Sequence, residues 1–140
     1  MAGRIVLDCS VAFAWCFLDE SQPLTDAALG TVSEQGAIVP EIWPLEVVNV
    51  LLVAERRKRL TRADSEEFLG LLAALPIQVE PMPPMDRMAS LLSLGRRCGL
   101  SSYDAAYLDL AMRRSLPLAT LDTQLARAAR KCHVSLLAGE

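Results

Sequence analysis

Short, wholly apolar runs alternate with longer amphipathic stretches along this chain. Ile5-Val6-Leu7 is apolar at every position, as expected of a strand buried on both faces in a parallel sheet. Ala37-Ile38-Val39 and Ile77-Gln78-Val79 read as second and third strands, Pro117 to Thr120 as a fourth and Val134 to Leu137 as a fifth. Between them the pattern predicts helices. The first runs from a Ser10 cap to Leu18, and the second from about Pro23 to Glu34, closed by Gly36. The third begins near Pro44, a residue suited to the first helical position, and reaches about Arg59. Thr61 and Asp64 have capping-box spacing for a helix over about Arg62 to Leu75. Pro81, Pro83 and Pro84 make a stiff loop, followed by a helix from about Met85 to Cys98 with Gly99 as its left-handed cap. Ser101 caps a helix reaching Arg114, and Thr123 to Cys132 forms the last one.

Strands alternating with helices predict an α/β fold in which helices cover both faces of a short, mainly parallel, five-stranded sheet. There are no repeats or linkers, so 140 residues are expected to form one domain spanning 1–140. A chain of this size buries about 68% of its unfolded surface, enough for a core without metal or disulfide staples.

Composition narrows the function. A hydrophobic fraction of 52% excludes a disordered chain. The apolar run Val11 to Leu18 is broken by Asp19 and Glu20 and falls short of the roughly 20 residues of a membrane span. Only Arg4 precedes the first strand and no small-residue cleavage site follows, so a signal peptide is not expected and the cytoplasm is the expected location. Cys9, Cys16, Cys98 and Cys132 have no CxxC spacing, and His133 is the sole histidine. The cysteines therefore read as reduced, mostly buried thiols rather than zinc ligands. The net charge of −3 argues against passive coating of nucleic acid. It leaves a nuclease open, because acids gathered around metal ions become attractive to phosphate.

Ligands of an open α/β sheet sit beyond the carboxyl ends of its strands. Asp8 directly follows the first strand and Asp122 follows the fourth. Glu46 and Asp104 fall in the first turns of two predicted helices. Each acid alone could be a helix cap or a dipole partner. Together, at one end of one sheet, they form a cluster that requires cations or raised pKa values. Oxygen-only ligands select hard ions, here Mg²⁺ or Mn²⁺, which would activate water and stabilise in-line displacement at phosphorus.

The same segments carry a family resemblance. Ile5-Val6-Leu7-Asp8-Cys9-Ser10-Val11, then Pro40 to Leu51 with Glu46 and Asn49, then Gly99 to Tyr107 with Asp104, then Pro117 to Leu125 with Asp122, resemble the successive motifs of the PIN-domain family. The stretch Gly99-Leu100-Ser101-Ser102-Tyr103-Asp104-Ala105-Ala106-Tyr107 is the most specific of these. The resemblance covers nearly the whole chain and implies a PIN-like α/β/α sandwich. It implies an endoribonuclease that hydrolyses RNA phosphodiester bonds with Mg²⁺ or Mn²⁺ held by Asp8, Glu46, Asp104 and Asp122. Ser10, Asn49 and Thr120 would orient the acids. Where some members carry a further acid after the last aspartate, this chain has Gln124, Leu125 and Ala126, so a second ion is expected to bind weakly or only with substrate. Compactness makes it most similar to the VapC-type toxins of VapBC toxin–antitoxin systems, which implies a homodimer and a VapB-type antitoxin partner. A PIN nuclease with an RNA-processing role is the alternative within the family.

Other residues carry less. Arg56, Arg57, Lys58, Arg59 and Arg62 read first as a solvated helix end and second as an RNA-backbone contact; Arg96, Arg97, Arg113 and Arg114 are similar. Trp15 and Trp43 read as packing groups, and His133 as no part of the chemistry. An aspartyl-phosphate phosphatase or receiver module would need a late lysine after a strand, and the sole late candidate, Lys131, falls in a helix. A non-catalytic binding module would not need all four acids.

Overall fold

A computed structural model describes residues 3–81, 85 and 87–138. The order is β1 (Ile5–Leu7), α1 (Cys9–Cys16), a 3₁₀ turn at Leu18–Glu20, α2 (Pro23–Gln35), β2 (Ala37–Pro40), α3 (Trp43–Arg56), α4 (Arg62–Ala74), β3 (Ile77–Glu80), α5 (Arg87–Cys98), α6 (Ser102–Arg114), β4 (Leu118–Ala119) and α7 (Thr123–Lys131). The strands pair in the order β3-β2-β1-β4, all parallel. This is an α/β fold with a parallel sheet flanked by helices. β1 lies inside the sheet and is buried at all three residues, which is why its sequence carries no polar alternation. α6 packs across β1, β2 and β4 and supplies Tyr107, Leu108 and Leu110 to the core.

The sheet has four strands rather than the expected five. Val134 to Leu137 reaches it only through one bridge, Leu118 to Leu136, held by Leu118 N–H to Ser135 O and Leu137 N–H to Leu118 O, each 2.9 Å. β4 is two residues long, so its outer edge offers a single pairing position and no ladder can grow on it. Other differences are local. α1 starts at Cys9 with Asp8, not Ser10, at the cap position. α3 stops at Arg56 rather than Arg59, because Lys58 takes a left-handed φ of 59° and the next two amides return to Ala54 O. α5 begins at Arg87; Pro83 and Pro84 lie outside the described residues.

The tryptophans pack as expected: Trp43 is buried, and Trp15 Nε1–H donates to Thr25 O at 2.8 Å. His133 is exposed. All four cysteines are free, but only Cys9 is buried. The other three are half-buried, with the sulfurs of Cys98 and Cys132 3.9 Å apart. Among the described residues no helix is long and apolar enough to cross a membrane.

Gly36 joins α2 to β2 with φ 89° and ψ 175°, a conformation essentially reserved for glycine. An added Cβ would lie 3.0 Å from Pro76 O, the carbonyl that accepts from Ala37 N–H as β2 and β3 come together. Gly36→Ala should therefore lower the unfolding free energy by about 1–3 kcal/mol, read from urea denaturation. An unchanged midpoint would show that the turn relaxes without strain.

Candidate active site

The chemistry-bearing residues gather where β1 and β4 end. Asp8 N–H still pairs with Ala119 O at 3.0 Å, so the two strand ends are locked together at the point where both chains turn away. The Asp8 side chain is 6% exposed. Although Asp8 sits at the cap position of α1, its side chain makes no cap bond. Its Oδ2 instead accepts from Ser10 Oγ and from Thr120 Oγ1, each at 2.7 Å. The hydroxyls are themselves held. Ser10 Oγ accepts from Leu121 N–H and Thr120 Oγ1 from Asp122 N–H, both at 3.0 Å. Two neutral hydroxyls, each fixed by a backbone amide of the β4–α7 connection, thus orient one buried carboxylate.

Asp122 caps α7, its Oδ1 accepting from Gln124 N–H at 2.8 Å and Leu125 N–H at 3.1 Å. The capping reading of this acid is therefore realised, on one of its two oxygens. Asp104 lies in the first turn of α6, where its N–H donates to Ser101 Oγ at 3.1 Å. Glu46 lies in the first turn of α3, half-buried, with Oε1 accepting from Tyr107 O–H at 2.5 Å. Asn49, one turn along α3, is exposed, and among the described residues it makes no hydrogen bond to the four acids.

Electrostatics tie the four carboxylates into one group. Burial pushes Asp8 above the ordinary carboxylate range; the Thr120 and Ser10 hydroxyls pull it back, and the charge of Asp122 raises it again. Burial also raises Glu46, against the Tyr107 hydrogen bond, with Asp8 and Asp104 adding repulsion. Asp104 is raised by burial, then by Asp122 and Asp8. Among the described residues no basic side chain offsets the charge of Asp8, Glu46 or Asp104. The donor set is all oxygen and, among the described residues, Asp8, Glu46 and Asp104 have no basic partner, which fits a hard divalent cation. The fit is of charge and donor type. Among the described residues no three acids already form a closed coordination cage, so ion binding would have to draw the side chains together.

The basic side chains are elsewhere. Arg59 pairs with Asp19 and Glu20 and stacks on Phe17, 3.8 Å from the ring centre. Arg113 binds Glu80 at 2.6 Å and Asp109 at 2.8 Å, Arg114 binds Glu80, and Arg87 binds Asp109. Arg56, Arg57, Lys58 and Arg62 are exposed; Arg56 lies about 15 Å from Glu46 along the α3 axis, at 1.5 Å per residue. Lys131 donates to Arg97 O at 3.3 Å, at the opposite end of α7 from Asp122. It is not placed as the lysine partner of a phosphorylated Asp8. Two features went unread in the sequence: the Glu80–Asp109–arginine lattice and the bond from Tyr107 to Glu46. The second had a signal, a tyrosine on an apolar helix face whose hydroxyl would need a buried partner.

Comparison with known proteins agrees with this architecture. The PIN-domain family model matches residues 5–131. The crystal structure of PAE2754 from Pyrobaculum aerophilum aligns with a TM-score of 0.68 at 22% identity, covering 91% of this chain and 86% of that one. At that identity the likeness is one of fold. Among curated proteins, none matches.

The raised acids set a pH dependence for the metal-free protein. Their folded pKa values lie above the ordinary 3.8 for aspartate and 4.5 for glutamate. Their contribution to stability is thus full below those ordinary values and is lost as pH rises through the folded ones. Glu80 runs the other way: despite its burial, Arg113 and Arg114 hold it below 4.5, so its contribution is lost only in stronger acid. In EDTA the melting temperature should therefore rise as pH falls through the folded values towards the ordinary ones, and Asp104→Asn should flatten that rise. At pH 7 in EDTA the variant should be as stable as wild type or slightly more so. If Asp104 were only a helix-start acid, the variant would instead lose roughly 0.5–1 kcal/mol, and thermal unfolding distinguishes the two.

Proposed function

Because the chain belongs to the PIN-domain family, whose members are generally nucleases, we propose that it is a Mg²⁺- or Mn²⁺-dependent endoribonuclease whose ion is held by Asp8, Glu46, Asp104 and Asp122. The observation that carries this reading is the gathering of acids at the sheet end, where Asp8 is buried among neutral hydroxyls and, among the described residues, no basic side chain is seen paired with Asp8, Glu46 or Asp104. A bound ion would supply an activated water and charge stabilisation at phosphorus. The chain's own residues do the rest. Ser10 and Thr120 hold Asp8 in one rotamer, so that the ion meets a fixed ligand. The amides opening α7 hold Asp122 by one oxygen and leave the other free of them. The exposed Arg56, Arg57, Lys58 and Arg62 suit contact with the RNA backbone away from the scissile bond. Arg59, occupied by two acids and a ring, does not.

Purified protein should cut a pool of cellular RNA with Mg²⁺ or Mn²⁺ and not with EDTA. Asp8→Asn should reduce cleavage by orders of magnitude, and Ser10→Ala by about 10–100-fold, the usual effect of removing a group that orients a metal ligand. Cleavage indifferent to EDTA would overturn the proposal.

The finer reading, a VapC-type toxin that forms a homodimer and is silenced by a VapB-type antitoxin, rests on the resemblance of the Asp8, Glu46, Asp104 and Asp122 segments. It is supported by exposed apolar side chains in register on two helices, Leu45, Val48 and Leu52 on α3 and Met88 and Leu92 on α5. Light scattering at micromolar concentration should give a dimer mass, and a monomer alone would remove that part of the reading.

A further inference from the structure

Tyr107 is fully buried, 0% exposed, on α6, and its hydroxyl reaches across to the acid that opens α3. The acceptor is a carboxylate oxygen, so the bond is charge-assisted when Glu46 is ionised. Among the described residues no other side chain donates to the Glu46 carboxylate. Glutamate has one more rotatable bond than aspartate, so Glu46 is the acid of the four with the most side-chain freedom to lose. A phenol donates one proton, so it can fix one oxygen and no more. It also brings no positive charge, so it orients Glu46 without neutralising it. Tyr107 stands one turn after Asp104 on the same helix. α6 thereby carries one acid of the cluster and the bracket for a second acid that belongs to α3.

We propose that Tyr107 is a positioning residue: it pins Glu46 through Oε1 so that Oε2 is presented to the divalent ion, and it never touches RNA itself. This rests on the ribonuclease reading above. The competing account is that Tyr107 only fills the core and that Glu46 merely satisfies its hydroxyl. The two differ in what removing one oxygen atom does. In a positioning role the loss appears in ion affinity and is recovered at high ion concentration. In a packing role the loss appears in the stability of the metal-free fold and leaves ion affinity alone.

The test is Tyr107→Phe, with wild type, Asp8→Asn, Glu46→Gln and the Glu46→Gln/Tyr107→Phe double variant beside it. Each is titrated with Mn²⁺ by thermal unfolding, and RNA cleavage is followed over the same Mn²⁺ range. Tyr107→Phe should raise the half-saturating Mn²⁺ concentration by about 10–100-fold, while cleavage at saturating Mn²⁺ recovers to within a few-fold of wild type. Once Glu46 is Gln, the Tyr107 change should cost no further affinity, because it acts through that carboxylate. An unchanged Mn²⁺ midpoint with a lowered melting temperature in EDTA would overturn the proposal, as would additive losses in the double variant.

Should Tyr107→Phe fail to fold, the hydroxyl can be watched without removing it. The chain has two tyrosines, so fluorotyrosine labelling in a Tyr103→Phe background leaves a single fluorine signal, at position 107. Mg²⁺, which is diamagnetic, should shift that signal, and Glu46→Gln should abolish the response. A signal indifferent to Mg²⁺ would overturn the proposal equally. The two readings fail differently. If wild type takes no Mn²⁺ at all, the metal-dependent ribonuclease falls and Tyr107 with it. If wild type binds Mn²⁺, Asp8→Asn does not, and Tyr107→Phe binds like wild type, only the role of Tyr107 falls.

Discussion

A carboxylate buried among hydroxyls, with no cation beside it, is the constraint on which this structure turns. An isolated buried charge is costly, and proteins usually answer it with an arginine or lysine. Asp8 is answered instead by Ser10 and Thr120, whose own oxygens are locked by the amides of Leu121 and Asp122. Satisfying that one side chain brings together the end of β1, the start of α1 and the whole turn from β4 into α7. The hydrogen bond from Asp8 N–H to Ala119 O places those segments in register, so the strand pairing and the polar net specify each other. Neutral donors orient the acid and leave its charge in place, and Tyr107 does the same for Glu46 and the α7 amides for Asp122.

The arginines make the complementary choice. Arg87, Arg113 and Arg114 are spent on Glu80 and Asp109, and Arg59 on Asp19 and Glu20. Glu80 and Asp109 are both buried, and they keep stabilising partners across α5, α6 and the end of β3. The molecule thus has two kinds of buried carboxylate. One kind is paired with guanidinium groups and fixes helices to the sheet; the other is left to repel its neighbours. Only the second kind has charge to offer an incoming cation.

Much of this was legible in the chain because it is written in local pattern. The all-apolar run Ile5 to Leu7 announces an interior parallel strand, Gly36 and Gly99 close helices with the positive φ they alone adopt freely, and Asp8, Glu46, Asp104 and Asp122 stand at element starts. What was not legible depends on distance through space. The fifth strand is reduced to one bridge because the two-residue β4 leaves a single position to pair with, a length that Pro117 to Thr120 does not disclose. The helix end at Arg56 depended on Lys58 turning left-handed, and lysine carries no signal for that. Arg59 reads as one of a basic run until Asp19 and Glu20, forty residues earlier, fold against it. Asp122 also shows why single-residue readings stay ambiguous: it caps α7 through Oδ1 and its charge still acts on Asp8 and Asp104.

That double use follows from how a helix begins. The first turn has free amides and a positive dipole end, so an acid there is stabilised before any ligand arrives. Glu46 and Asp104 lie in such first turns, and Asp122 is at the cap position. A cluster assembled from helix starts can therefore hold several carboxylates near one another in the metal-free protein, because the local hydrogen bonds offset part of what burial and mutual repulsion cost. The same arrangement limits that repulsion to a level the fold can bear while keeping the charge available. Helix N-termini at the carboxyl ends of parallel strands supply such places in every α/β sheet. In this chain Asp8, Glu46 and Asp122 take those places after β1, β2 and β4, and the helix after β3 opens instead on Arg87, whose guanidinium is paired with Asp109.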